Sequence, residues 1–518
     1  MTIKLKPTLL LSLAINTLLF SGGAHALSPA RFNIKLDGIG LGAENKDVHR
    51  RLFVSLGSGY GAAKTYNPKF TYENGGIYSF ACDGVKVSKS GDLCRFKPVK
   101  YGDTTHTIKL FKSGQLLDTY DIVFTNLPVV QIVTDANIVD TPKVNGTFRL
   151  MSGAFKQDTG DLPMGVEWRG QTTQDFDKKS MGVGLGKNAG KTPVKTKLLD
   201  LGLGDDWILD ASYADTSFAR NNICMDLYNE IHPNKDPKRP NGKNAIDGHM
   251  TEAVVNGKYM GVFILNQHVG PTLLGLPHDK NTLIYKADYD VWLKDLFYPY
   301  KKGDIEFNFS QSYPKTKADY TPLKALIDFV ANSSNVAFAD NIASKIDLNS
   351  VADWYLLSKA VQASDNDTKN FFLVKTPNMK WTIIPWDYNA TFGMFWDGKA
   401  EAVSTFIPTP GNNLINRLIA NSDLGTDFNT ILKSRWSVLK PKYFTKDKLL
   451  ARFATYRSEL VRGGADKRNA ALWPQPGTGK TPGQPKGISN PTLSTTKYID
   501  TFLKTRLAAM DDYINNLP

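Results

Sequence analysis

The stretch of sequence that decides the fold is ASDNDTKNFFLVKTPNMKWTIIPWDYNATFG, residues 363–393. Two short apolar segments within it, FFLVK and KWTIIPW, predict β-strands that are joined by the turn TPNM. Polar side chains stand at the ends of these strands: Asp365 and Asn370 precede the first strand, and Asp387 follows the second. Strand ends hold such groups rigidly at the rim of a hydrophobic core, where partial burial strengthens their electrostatic effect. The pattern therefore predicts a functional site at the strand ends.

The spacing of these polar residues is that of a protein-kinase active site. Asp365 and Asn370 are related as D-x-x-x-x-N, as in the kinase catalytic loop, and Asp387 has the position of the metal-binding Asp. Phosphoryl transfer requires a carboxylate near the acceptor hydroxyl and oxygen ligands that hold Mg²⁺ or Mn²⁺ against the triphosphate. The same spacing is also common in ordinary turns, and Asp367 is expected to cap such a turn.

The phosphate groups also need a cation, and the segment KKSMGVGL (178–185) offers two lysines. On a strand, Lys179 would share one face with the apolar residues of the segment, so its side chain is predicted to point into the interior. A buried lysine needs a partner, which a nucleotide phosphate or a carboxylate would provide. Lys178 would lie on the opposite face, and Arg169 on the preceding strand is expected to reach the site. The alternative is an exposed edge strand on which both lysines are solvated.

Three further segments complete a pattern that resembles the spore coat protein H (CotH) kinase family. RGQTTQDFDKKS (169–180), DASYADTSFARNNI (210–223) and NGKYMGVFIL (256–265) are similar to ordered motifs of that family. The third belongs to a predicted hairpin around Asn256 and Gly257. The resemblance extends from about Val129 to the last predicted helix. It implies an atypical protein-kinase-like fold that uses ATP and a divalent metal ion, Mg²⁺ or Mn²⁺. The residues that it implies are Asp365 and Lys179 for catalysis, Asp387 and Asn370 for the metal, and Lys179, with Lys178 and Arg169, for the nucleotide.

The sequence departs from the family pattern at a few positions. Asn389 stands where the family usually has a second Asp, and Gln267 stands where it often has Glu. Thr172 and Thr173 replace a pair of serines, which is a conservative change. The amide oxygen of Asn389 can still bind a metal ion, but it carries no charge. Metal affinity is therefore the property that these departures affect most.

The chain of 518 residues is long enough for two or three domains. Residues 1–26 have the features of a secretory signal peptide, with two lysines before an apolar run and small residues near the end. We expect an exported protein, periplasmic or secreted, with no integral membrane segment after cleavage. The pattern of residues 27–127 is that of strands and turns, with a hairpin over residues 107–124, and it predicts a small all-β, sandwich-like domain. Residues 128–518 predict the kinase-like domain, so the expected fold class is α+β.

The charge and the cysteines are interpreted in the light of the predicted export. The formal net charge is +13, or +11 without Lys4 and Lys6, which favours solubility or attraction to anions. No basic run with interleaved aromatic residues points to nucleic acid. In an oxidising compartment Cys82 and Cys94, on either side of a predicted hairpin tip, are expected to form a disulfide, and Cys224 is expected to be a buried free thiol.

Three functions are compatible with these features. The first is an exported kinase that transfers phosphate from ATP to Ser or Thr of a protein substrate. The second is a non-catalytic surface or cell-envelope binding protein that retains the same fold. The third is a glycoside hydrolase with Asp365 and Asp387 as its carboxylate pair, which leaves Lys179 without a role. The sequence does not identify the acceptor protein or the oligomeric state.

Overall fold

The computed structural model describes the larger part of the chain. It covers residues 32–36, 39–40, 44–45, 50–57, 69–72, 78–87, 106–288, 296–300, 308–404, 411–474 and 490–518. The predicted signal peptide and Cys94 lie outside these residues. Helices and sheets are both abundant, and this confirms the predicted α+β class. None of the helices in the described ranges is long and apolar enough to cross a membrane.

The N-terminal part of the chain contributes two small sheets. Their strands are β1 (Phe32–Leu36), β2 (Ile39–Gly40), β3 (Glu44–Asn45), β4 (Arg50–Ser55), β5 (Lys69–Tyr72), β6 (Tyr78–Cys82), β7 (Val85–Val87), β8 (His106–Lys112) and β9 (Gln115–Thr125). One sheet has the order β2-β1-β5, and the other has the order β3-β4-β9-β8-β6-β7. The hairpin predicted between residues 107 and 124 is confirmed as β8 and β9. Its turn places Ser113 and Gly114 at positive φ, which glycine adopts without strain.

A nine-stranded sheet follows and forms the first half of the predicted kinase-like region. Its strands are β10 (Val129–Val133), β11 (Val144–Ser152), β12 (Gln157–Asp158), β13 (Leu162–Arg169), β14 (Ser180–Lys187), β15 (Thr192–Pro193), β18 (Asp206–Asp210), β19 (Gly248–Val255) and β20 (Lys258–Gln267). The order is β10-β19-β20-β18-β14-β13-β11-β12, with β15 beside β14. The short strands β16 (Thr196–Lys197) and β17 (Leu203–Gly204) pair with each other. The predicted hairpin around Asn256 and Gly257 is confirmed as β19 and β20.

A four-stranded sheet belongs to the second half of the predicted kinase-like region. It contains β21 (Leu283–Ala287), β22 (Phe309–Tyr313), β23 (Phe371–Lys375) and β24 (Thr382–Pro385), in the order β22-β21-β23-β24. Strands β23 and β24 are the hairpin predicted from the opening stretch, and Phe371 lies opposite Pro385 in their register. The register therefore brings the residue before β23 close to the residues that follow β24.

The helices pack mainly around this second sheet. They are α1 (Arg220–Ile231), α2 (Pro271–Leu274), α3 (Thr321–Asn332), α4 (Asn335–Lys345), α5 (Leu348–Ala360), α6 (Asn413–Ala420), α7 (Phe428–Tyr443), α8 (Lys446–Arg462), α9 (Ala465–Leu472) and α10 (Thr496–Asn515). Helix α5 begins at Asp347, whose carboxylate accepts hydrogen bonds from the backbone N–H groups of Asn349 and Ser350. Most of its side chains are buried, so α5 is the central helix behind the strand ends.

The N-terminal sheets contact the nine-stranded sheet through an aromatic pair. Phe53 of β4 stacks on Tyr259 of β20, with ring centroids 4.7 Å apart. The hydroxyl of Tyr259 donates to Glu252, which also forms an ion pair with Arg468 of α9 at 2.9 Å. A buried ion pair of this kind holds only when both charges are also hydrogen-bonded, and here both are. Helix α9 is thereby fixed against the nine-stranded sheet.

Candidate active site

The three polar residues at the strand ends lie together in the structure. The side-chain amide nitrogen of Asn370 is 3.3 Å from Oδ2 of Asp365. Asn370 immediately precedes β23, and Asp387 comes two residues after β24. Asn370 and Asp387 both adopt left-handed backbone conformations, with φ of 60° and 53°. Such conformations are rare for residues other than glycine. The charge of Asp365 acts on the Asp387 carboxylate, so the three residues lie within electrostatic reach of one another.

Asn366 holds these strand ends in place, a role that the sequence did not reveal. Its side chain is fully buried. Its amide nitrogen donates to the backbone carbonyls of Trp386 at 2.8 Å and Asn370 at 3.2 Å. The neighbouring Asp367 was expected to cap the turn, but its carboxylate instead forms an ion pair with the buried Lys359 at 2.5 Å. Both residues thus fix the loop that carries Asp365.

A fourth residue, Asp210 at the end of β18, brings a further carboxylate to the site. The side-chain amide nitrogen of Asn389 lies 3.2 Å from Oδ1 of Asp387 and 3.4 Å from Oδ2 of Asp210. The amide oxygen of Asn389 is buried, and no described residue donates a hydrogen bond to it. The nine-stranded sheet therefore contributes an acidic side chain to a site whose carboxylates the sequence placed only at the ends of the β23–β24 hairpin.

Burial and neighbouring carboxylates raise the pKa of Asp387 and of Asp210. Desolvation by surrounding protein atoms raises the pKa of Asp387 above its usual value, and the charge of Asp365 raises it further, although the side chain is still open to solvent. Desolvation also raises the pKa of Asp210, and the charge of Asp387 adds to the effect. Desolvation is the larger cause in both cases, so the protein holds these carboxylates against the cost of burying their charge, a cost that a bound cation would offset.

Three basic side chains surround the carboxylates. Arg169 at the end of β13, Lys286 in β21 and Lys369 each lower the pKa of Asp387, against the larger upward effect of desolvation, so each lies within electrostatic reach of it. The guanidinium of Arg169 lies over the ring of Trp386, 5.8 Å from its centroid. The structure places Arg169 beside this region, and its role in nucleotide binding stays a prediction. Lys286 was not predicted, because no motif marks its strand.

The predicted orientation of the two lysines is wrong. Lys178, and not Lys179, is the buried one, with 1% of its surface exposed. Its ammonium donates to the backbone carbonyls of Ala211, at 2.9 Å, and Val262. It also lies 3.2 Å from the side-chain oxygen of Asn469, and burial lowers its pKa well below the usual value. Lys179 is half-buried and donates to a backbone carbonyl of the preceding turn, that of Gln174. Strand β14 begins only at residue 180, so its alternation does not extend back to the lysines.

The motif that begins helix α1 anchors the segment after Asp387. Arg220 is fully buried and forms an ion pair with Asp215 at 2.5 Å. Its guanidinium also donates to the backbone carbonyl of Thr391 at 3.0 Å. The next residue, Asn221, accepts the backbone N–H of Tyr388 at 2.9 Å. The Arg-Asn pair of the sequence motif therefore fixes the backbone on either side of Asn389.

The end of β20 closes another side of the site. Gln267 uses its amide nitrogen to bind the backbone carbonyl of Leu201 at 2.5 Å. The adjacent His268 lies 5.7 Å from the ring of Trp386, and burial lowers the pKa of His268 to about 4. A neutral imidazole therefore faces Trp386 at neutral pH. His268 was not identified from the sequence, because it belongs to no motif.

The carboxylate and amide oxygens of this site fit a hard divalent cation that takes several of its ligands from water or substrate and only a few from the protein. Within the described ranges, no group of three or more His, Cys, Asp or Glu side chains could hold a metal ion. Asp387 and the amide oxygens near it would supply one carboxylate and a few neutral ligands. A small number of protein ligands is usual for Mg²⁺ that is bound together with substrate phosphates. The buried, unpartnered amide oxygen of Asn389 is consistent with such a ligand set.

Carboxylates at the ends of a hairpin, set between two sheets and surrounded by basic side chains, define a kinase-like class of protein. The chain belongs to the CotH kinase protein family, whose family model matches residues 166–510. The predicted resemblance is thus confirmed. The chain is similar to the inner spore coat protein H of Bacillus subtilis (strain 168), with 20% identity over 300 residues that make up 57% of this chain and 77% of the relative.

Proposed function

We propose that this protein is an exported atypical protein kinase that transfers the γ-phosphate of ATP to a serine or threonine of another protein, with Mg²⁺ or Mn²⁺. The observation that supports this most is the convergence of Asp365, Asn370 and Asp387 beside basic side chains from both sheets. Phosphoryl transfer depends on positioning and on charge neutralisation more than on covalent chemistry of the protein. This arrangement offers carboxylates for the hydroxyl and the metal, and cations for the phosphates.

Asp365 is the proposed proton acceptor. As the hydroxyl oxygen of the acceptor forms its bond to the γ-phosphorus, the bond to the β-phosphate oxygen breaks, ADP leaves and the hydroxyl proton moves to the Asp365 carboxylate. Lys369 forms an ion pair with this carboxylate at 2.9 Å and thereby holds it at the site. Asp387 and Asn370 are the proposed ligands of the divalent cation, which when bound neutralises charge on the triphosphate.

We assign the phosphate contacts to Arg169 and Lys286 in place of Lys179 and Lys178. Lys286 forms an ion pair with Asp288, and a phosphate could replace that partner because both groups are only partly buried. Lys178 is enclosed by backbone carbonyls, and Lys179 points to the turn before β14. Neither orientation favours contact with a nucleotide that is bound at Asp387.

The test is thermal melting of the protein with Mn²⁺ and ATP, separately and together. A ligand that binds only the folded state stabilises it by about 2.7 kcal/mol at a hundredfold excess over its dissociation constant. We expect a rise in melting temperature that requires both ligands and is lost in Asp387→Ala. Asp340→Ala, on the exposed face of α4, is the matched control and is expected to behave as the wild type. No rise in the wild type at millimolar ligand would contradict a working nucleotide site.

A positive result would then justify an assay of phosphate transfer to protein acceptors with radiolabelled ATP. Asp365→Asn is expected to keep the metal-dependent melting shift, because its amide oxygen retains the size and polarity of the carboxylate. It is expected to lose transfer, because an amide does not accept the hydroxyl proton. Loss of binding and transfer together would instead place Asp365 among the nucleotide-binding groups.

A second candidate function is a non-catalytic surface or envelope protein that keeps the fold for binding. One observation favours it: Asn389 gives the site an uncharged side chain next to Asp387. In that case the protein folds normally, and neither Mn²⁺ nor ATP changes its melting temperature. The same melting experiment therefore separates the two functions.

We also propose that the protein acts outside the cytoplasm and carries a disulfide between Cys82 and Cys94. The similar protein of Bacillus subtilis is named as an inner spore coat protein, which is consistent with a surface location. Free ATP is scarce outside the cytoplasm, so the nucleotide would come from a host or act before export.

A further inference from the structure

The side chain of Asn389 joins two carboxylates that come from different sheets. Its amide nitrogen is within 3.4 Å of both Asp387, which follows β24, and Asp210, which ends β18. A single neutral N–H₂ group is a weak partner for two anionic groups at such a short separation. Its own oxygen is buried and has no hydrogen-bond partner among the residues that the structure describes. Two carboxylates from different sheets thus converge on one uncharged group, an arrangement that suits a shared divalent cation.

The carboxylate of Asp210 is oriented as that of a metal ligand would be. Its Oδ1 accepts the backbone N–H of Ser212 at 2.9 Å and the hydroxyl of Ser180 at 3.3 Å. The same hydroxyl accepts the backbone N–H of Ala211 at 2.9 Å. One oxygen of the carboxylate is thus held by a fixed network, and Oδ2 is left facing Asn389. Outer hydrogen bonds of this kind orient the ligands of metal sites in proteins.

The position of Asp210 also has a consequence for the fold. It belongs to the nine-stranded sheet, whereas Asp387 belongs to the loop after the four-stranded sheet. Arg169, at the end of β13 in the nine-stranded sheet, lies within electrostatic reach of both carboxylates. Its guanidinium lies over the ring of Trp386. A divalent ion between the two carboxylates would tie the two sheets together directly.

We infer that Asp210 is a further ligand of the divalent cation and supplies the negative charge that Asn389 lacks. The inference rests on the proposed function, because it adds a ligand to the same metal site. It implies that the affinity for the cation depends on the combined negative charge of the side chains at positions 210 and 389, and not on the side chain at position 389 alone.

The test is direct Mn²⁺ binding, measured by isothermal titration calorimetry, in a set of charge variants of the protein. Asp210→Asn removes the charge and keeps the hydrogen bonds of Oδ1, and we expect the affinity for Mn²⁺ to fall about tenfold or more. Asn389→Asp adds a charge and is expected to raise the affinity. The double variant moves the charge from one position to the other and is expected to return toward wild-type affinity. Asp205→Asn, one residue before β18, is the matched control and is expected to bind as the wild type.

A second readout shows whether Asp210→Asn is merely misfolded. Without metal, in the presence of a chelator, this variant is expected to melt at a higher temperature than the wild type, because it lacks repulsion from Asp387. With saturating Mn²⁺ the order is expected to reverse. A purely structural carboxylate would lower the melting temperature in both conditions.

The outcomes separate this inference from the proposed function. Unchanged Mn²⁺ affinity in Asp210→Asn, together with lost binding in Asp387→Ala, overturns the inference and leaves the proposed function intact. An absence of Mn²⁺ binding in the wild type and in every variant overturns both. Failure of the double variant to recover affinity while Asn389→Asp binds more tightly also contradicts the inference, because charge at position 389 alone would then be decisive.

Discussion

Replacement of Lys178 by methionine tests the structural role of the buried lysine against the role predicted from the sequence. The change removes the ammonium but keeps the length of the side chain. It leaves the carbonyl oxygens of Ala211 and Val262 and the side-chain oxygen of Asn469 without this donor. A buried polar group that loses its partner costs about 1–3 kcal/mol. Relief of the desolvation of the amine offsets part of this loss.

We therefore expect Lys178→Met to lower the free energy of unfolding by about 2–4 kcal/mol, since two or three acceptors are affected. Lys179→Met is the matched control, and its half-exposed position predicts a change within about 0.5 kcal/mol. The assay is unfolding by urea, in which a loss of stability at constant slope moves the midpoint to lower denaturant concentration. The nucleotide-dependent melting shift is then measured in both variants.

Two results would refute the reasoning. If Lys179→Met destabilises the protein more than Lys178→Met, the assignment of the buried lysine is incorrect. If Lys178→Met unfolds as the wild type but loses the shift with Mn²⁺ and ATP, the lysine binds nucleotide, as the sequence predicted, and the carbonyl contacts are incidental.

Two further predictions concern the ion pair beneath the site and the cysteines. Burial alone would raise the pKa of Asp215, but its guanidinium partner and several hydrogen bonds outweigh burial, so the folded-state pKa lies below the usual value. This carboxylate therefore stabilises the fold at pH values above its unfolded pKa of about 3.9, and the stabilisation is lost as the pH falls through the folded-state pKa. In a plot of melting temperature against pH, Asp215→Asn should make the decline at acid pH less steep. An unchanged decline would contradict this. Non-reducing peptide mapping should find Cys82 linked to Cys94, whereas Cys224, which is buried and free, should react with iodoacetamide only after unfolding; modification of all three in the folded protein would exclude the disulfide.

Local patterns made the hairpin of β23 and β24 predictable. Short apolar runs with a turn between them fix the strands, and the strand register then brings Asn370 and Asp387 together without any further information. The β19–β20 hairpin was equally clear, because Asn256 and Gly257 both have the positive φ that its tight turn requires. These elements depend on residues that are close in sequence, and the predictions for them are confirmed.

The remaining site residues depend on contacts between distant segments. Asp210 meets Asn389 only because β18 ends where the loop after β24 passes, and no local pattern encodes that approach. The prediction of the lysine orientations failed for a related reason. Alternation of side chains between two faces applies only inside a strand, and β14 starts two residues after Lys178. The role of Asn366 could not be predicted, because its amide donates to three backbone carbonyls and the sequence pattern gives no sign of such contacts.

The electrostatics of the site favour a ligand-binding role over retention of the fold alone. Asp210, Asp365 and Asp387 come from separate segments, and the pKa values of Asp210 and Asp387 are raised by desolvation and by a neighbouring carboxylate. Left-handed backbone at Asn370 and Asp387 adds strain at the same place. Each of these features destabilises the folded protein when no cation is bound. Proteins break the ordinary rules of packing and charge mainly where function requires it. A protein that needed this fold only as a scaffold would be more stable with neutral side chains at these positions, so their charge supports the proposed cation site.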